Sequence, residues 1–153
     1  MATRTIICCL MGAGALVGAI LATRPAVAVE LITQSEAALP AQPSIGRERG
    51  ISRGPTVLVV SPQPGAGTIK SPLDLRVTFE SHGGTTVNLD SILLTYMKMP
   101  AVDLTQRVKA FIKPSGVEIK NAEVPPGTHT IRVTVSDSEG RFGSADVTFS
   151  VTK

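Results

Sequence analysis

The side chains able to do chemistry in this chain are few and widely spaced. There are two histidines, His82 and His129; acidic residues pair up at Asp137 and Glu139, with Asp90 and Asp103 elsewhere; Met97 and Met99 form a soft pair. His82 lies in Ser81-His82-Gly83-Gly84, a loop by composition, where a lone imidazole is a weak metal ligand. His129 shares the parity of Ile131, Val133 and Val135, so it points toward the core at its rim and takes hydrogen-bond partners there. Asp137 and Glu139, joined by Asp90 or Asp103, offer carboxylates of the kind calcium takes, but calcium needs many oxygens converging on one point. Met97 and Met99 read as packing within an apolar strand before they read as soft-metal ligands. No nucleophile elbow, HExxH motif or phosphate loop frames a serine, histidine or carboxylate, and Gly65-Ala66-Gly67 lacks the lysine and the following helix of a phosphate site. The sequence therefore assigns no catalytic, cofactor-binding or metal residue, and it predicts a protein that is not an enzyme and carries no cofactor.

The elements that position these residues must come from 153 residues with 3% aromatics, no Trp, 14 Gly and 11 Pro, a composition that favours one small β-rich core with appendages. The formal charge of +3 is spread along the chain without a basic cluster, which argues against a nucleic-acid partner.

Arg4 precedes an apolar run from Ile6 to Ala22, and Ala26-Val27-Ala28 then gives the small-x-small pattern of an export cleavage site. Residues 1–28 are thus expected to be a signal peptide, with the mature chain starting at Val29 in the periplasm or outside the cell and free of the membrane; a retained anchor is the alternative. Cys8 and Cys9, the two cysteines, leave with it, so the mature chain has neither disulfides nor thiolate chemistry. From Val29 to Gly54 the residues are mostly Ala, Gln, Ser, Pro, Gly and Arg, broken by Pro40, Pro43 and Arg47-Glu48-Arg49. This segment reads as a disordered linker, its Ser35–Leu39 stretch too short for a helix to stand alone.

Residues 55–153 read as the globular domain. Val57–Val60 is a continuous apolar run, and Leu73, Leu75, Val77 and Phe79 alternate with polar residues. Val87–Met99 is apolar but changes phase, which predicts a bulge or cover on both faces. A turn or one helical turn is expected at Val102–Thr105, then strands through Val108, Ala110 and Ile112 and through Val117 and Ile119. The clearest alternation comes last: Ile131, Val133 and Val135, a turn at Asp137-Ser138-Glu139-Gly140, and Val147, Phe149 and Val151 in return.

The run from Pro126 to Gly140, closed by Thr148-Phe149-Ser150-Val151, resembles the last two strands of bacterial Ig-like domains, and Ser61-Pro62-Gln63-Pro64-Gly65 with Ser71–Phe79 is similar to their start. The resemblance implies an immunoglobulin-like antiparallel β-sandwich of about seven strands. The chain also resembles the periplasmic copper-resistance carriers, whose metal site has a histidine after an acidic residue near the end of the penultimate strand and another at the mature N-terminus. Here Arg141 stands at the first place and Val29-Glu30 at the second. The expected function is an exported, non-catalytic accessory or interaction module reached by a protein partner through edge strands or loops, Val117-Glu118-Ile119-Lys120 being the expected edge. A periplasmic copper carrier is the alternative.

Overall fold

The computed structural model describes residues 28–43, 53–63 and 65–152, so the expected signal segment, apart from Ala28, and the charged part of the expected linker lie outside the described residues. Strands β9 (Gly127–Asp137) and β10 (Phe142–Thr152) form the terminal hairpin, paired antiparallel from Gly127↔Val151 to Ser136↔Phe142. The turn closes as its composition predicts: Gly140 N–H donates to the Asp137 carbonyl at 3.0 Å, and Gly140 takes the positive φ of 75° that the reversal requires.

Among the described residues the protein is an all-β sandwich of two five-stranded sheets. One sheet runs β1 (Val29–Glu30), β8 (Gly116–Glu123), β4 (Leu73–Glu80), β2 (Thr56–Ser61), with β7 (Ile112–Lys113) also on β8. The other runs β3 (Thr68–Lys70), β10, β9, β5 (Val87–Tyr96), β6 (Val102–Asp103). After β2 the chain leaves the first sheet and adds β3 to the second, parallel to β10. Leu75, Val77 and Ile119 from one sheet meet Leu94, Ile131 and Val133 from the other, all fully buried. The sheets also lock at one corner: a Cβ on Gly143 would collide with the Pro55 carbonyl, so glycine there lets the backbone before β2 close on β10.

The phase change in β5 is a real irregularity, with the register against β9 shifting between Asn88 and Leu93. Ser91 Oγ bridges it, donating to the Asn88 carbonyl at 2.6 Å and accepting from Ser136 N–H at 2.8 Å. Elsewhere the chain departs from expectation. Val108 and Ala110 belong to no strand: Asp103 Oδ1 accepts Thr105 N–H at 2.8 Å and starts the helical turn α2 (Thr105–Val108), which runs into a 3-10 turn at Lys109–Phe111. Strand β8 is not the expected edge, because β7 pairs with its start and β1 with its end. The first strand expected from Val57–Val60 is present as β2, with Leu58 and Val60 facing outward on the sheet edge.

The largest correction concerns residues 29–43. Expected as linker, they form a strap across one end of the sandwich. Strand β1 adds parallel to β8, and Leu31 and Ile32 are buried at 0% and 1% exposure in the core. Thr33 opens helix α1 (Gln34–Ala37) with a reciprocal capping box in which Glu36 accepts the Thr33 N–H at 2.9 Å. Met99 N–H then donates to the Pro40 carbonyl and Gln42 N–H to the Met97 carbonyl, in the segment that follows β5 of the opposite sheet. Four helical residues carry too little periodicity to be read, and their stability comes from tertiary packing.

Candidate functional site

The residues singled out for chemistry collect at the two ends of β9, His129 near its start and Asp137 at its finish. Eight residues separate them, roughly 26 Å at about 3.3 Å per residue.

At the far end Asp137 is buried, at 2% exposure, and its carboxylate is fully engaged. Oδ1 accepts the Glu139 and Arg141 backbone N–H groups at 2.9 Å each, and Oδ2 accepts Arg141 Nε–H at 2.8 Å with the Thr85 hydroxyl oxygen 3.4 Å away. Burial opposes its charge, but the Arg141 and Glu139 backbone bonds and the Arg141 guanidinium outweigh this, and the carboxyl sits below its usual range. Arg141 also reaches Glu139 at 3.2 Å. The same end receives the loop before β5, where the His82 carbonyl accepts the Thr85 hydroxyl at 2.7 Å. The exposed His82 ring has Nε2 at 2.6 Å from Thr56 Oγ1. The structure thus brings His82, Asp137, Glu139 and Arg141 to one end, but in an ion-paired network whose carboxylate already has three close N–H donors.

At the near end His129 is 1% exposed. Its Nε2 lies 2.8 Å from the Pro125 carbonyl, which can only accept, so Nε2 carries the proton. Nδ1 is then the acceptor for the Tyr96 hydroxyl at 2.8 Å. Phe149 flanks the other side, with ring centroids 5.7 Å apart. Burial, with the Glu36 charge adding to it, pushes the Tyr96 hydroxyl up to about 12. Over the Tyr96 ring, 5.4 Å from its centroid, stands Lys98 Nζ, which donates at 2.9 Å to both the Ala37 and Leu39 carbonyls of the strap. Arg107 from α2 completes the clasp, bonding the Leu31 carbonyl at 2.9 Å and gripping both oxygens of Glu36, at 2.8 and 2.6 Å. That bidentate bond, with the Thr33 N–H adding to it, holds the Glu36 carboxyl at about 2 against its partial burial.

Sequence reasoning missed Lys98, Arg107 and Glu36, yet two signals were present. Thr33-Gln34-Ser35-Glu36 fits the capping-box pattern, and Lys98 continues the inward parity of Ile92, Leu94 and Tyr96. Of the remaining candidates, Asp90, Asp103 and Met99 are exposed, Met97 is half-buried, and Asp103 Oδ1 accepts the Thr105 N–H ahead of α2. Among the described residues, no three His, Cys, Asp or Glu side chains gather closely enough to hold a metal ion. A cleft of about 350 Å³ lies between the strap and the β8–β9 connection, its lining including Glu30, Ile32, Gln34, Glu123, Val124 and Pro125. Comparisons with protein-family models, with curated proteins and with solved structures find no match.

Proposed function

We propose that this chain is an exported, non-catalytic module with an immunoglobulin-like sandwich that binds another protein through a sheet edge. One observation carries the reading. The buried candidates are tied into internal contacts, Asp137 to Arg141 and His129 to Tyr96, while apolar groups stand outward on edge strand β2, Leu58 at 41% and Val60 at 43% exposure. An edge strand offers unpaired backbone groups, and outward apolar side chains favour a partner's strand over water. The transfer of β3 to the second sheet beside β10 agrees with an immunoglobulin-like topology. Export rests on the apolar run and on Ala26-Val27-Ala28.

A photo-crosslinking residue at Leu58, with Lys120 as comparison, tests this in cells exporting the protein. The expected result is a discrete protein adduct from position 58, lost when Val60 is changed to Lys in a variant that melts like the wild type. Equal labelling from both positions, or a small-molecule turnover by the purified domain, would overturn it.

A further inference from the structure

We propose that His129 is an acid-sensitive latch for the strap, its protonation loosening residues 29–43 from the end of the sandwich while the other strands of both sheets stay folded. The geometry is a relay from the imidazole to the strap. Nδ1 of His129 accepts from Tyr96 Oη at 2.8 Å, the Tyr96 ring lies under Lys98 Nζ at 5.4 Å, and Lys98 Nζ holds the carbonyls of Ala37 and Leu39. Nε2 is already committed as a donor to Pro125. A second proton must go to Nδ1, where two hydrogens would then point at each other across the bond from Tyr96. The hydroxyl must turn its hydrogen away from Nδ1, the side-chain acceptor it has among the described residues.

Charge acts in the same direction. The charged or titratable groups around the imidazole are Lys98 and Tyr96 on the β5 side and, beyond Tyr96, Glu36 of the strap with its partner Arg107. Phe149 and Pro125, which flank the ring from β10 and the β8–β9 connection, bring no charge. A second buried cation beside Lys98 repels it, and Lys98 is the side chain that clamps the strap. Glu36 does not offset this, because the Arg107 guanidinium that grips both its oxygens balances its charge. Burial, joined by Lys98 and opposed by the Pro125 hydrogen bond, keeps His129 less basic than an ordinary histidine. The closed form therefore holds the ring neutral. Below about pH 6.5 an opened form takes up a proton that the closed form refuses, so latch stability is complete above that value and fades as the pH falls. Glu36 stays ionised throughout this range, so the strap's other clasp does not contribute.

The composition makes the test clean: Tyr96 is the sole tyrosine, there is no tryptophan, and His82 and His129 are the only imidazoles. Amide hydrogen exchange of residues 29–43 would be followed from about pH 7.5 to about pH 5, corrected for intrinsic rates, alongside tyrosine emission and NMR titration of the two rings. The expected result is a severalfold rise in strap exchange with unchanged protection in β9 and β10, a change in Tyr96 emission, and a common midpoint with His129 titration. In His129→Gln, whose amide N–H can still meet Pro125 but cannot gain a charge, the pH step should vanish. Strap exchange that is flat with pH, a step retained in His129→Gln, or simultaneous loss of protection in β9 and β10 would each overturn the proposal. If His129→Gln fails to fold, the wild-type titration decides: a ring that stays neutral while the strap opens rules out the latch.

Discussion

At the Asp137 end the carboxylate is satisfied mostly by residues four or fewer positions away in one turn, whereas at the Tyr96 end the Lys98 and Arg107 bonds that hold the strap join residues 59 to 76 positions apart. The first network forms whenever the hairpin forms. Its donors arrive with the turn and add little chain entropy to that of closing β9 on β10. The second exists only when a separate segment docks. It must repay the ordering of some fifteen residues through Leu31 and Ile32 in the core, the Glu36–Arg107 pair and the two Lys98 bonds. One end is thus a built-in closure and the other a removable one, even though β9 runs through both.

The sharpest way to break this contrast is to empty the strap's apolar anchors. Leu31→Ala and Ile32→Ala should each cost about 2–5 kcal/mol in denaturant unfolding, because both side chains are fully buried. Values near zero for both would make the strap a passive appendage and remove the distinction between the ends.

Cutting the ionic clasp should have a smaller effect with a distinctive pH signature. Arg107→Ala should lose about 1–3 kcal/mol at neutral pH, from the part-buried pair and the Leu31 carbonyl left without its donor. Glu36 is held at about 2 against its ordinary 4.5, a depressed carboxyl. Its contribution is complete above about pH 4.5 and disappears as the pH falls toward 2, because the unfolded chain takes up the proton first. Thermal melts between those values should show this acid slope in the wild type and a flatter one in Arg107→Ala; equal slopes would mean that another partner depresses Glu36.

The turn end should respond least and most locally. Asp137→Asn should lower Tm by less than Ile32→Ala and raise amide exchange at residues 138–141, leaving exchange in residues 29–43 as in the wild type. Coupled loss of protection in the strap would show that the two ends communicate through β9 and that the contrast is false.

Much of this was legible in the chain itself. The alternation of Ile131, Val133 and Val135 against Val147, Phe149 and Val151 determined the hairpin, because a period of two with one apolar face leaves a single register that buries it. Asp137-Ser138-Glu139-Gly140 determined the turn, since aspartate bonds its own backbone and glycine takes positive φ without strain. The parity of His129 determined that it points inward. What tertiary structure alone decided was the meaning of short or aperiodic pieces. Two residues of β1 and four of α1 carry no readable period, and Leu31 and Ile32 are anchors only because β8 and α2 present a place to bury them. Likewise Val117–Lys120 has the look of an edge until β1 and β7 flank it. Local patterns record the interactions a segment makes with itself and its strand partner, whereas docking depends on surfaces assembled from distant parts of the chain, which no window of sequence contains.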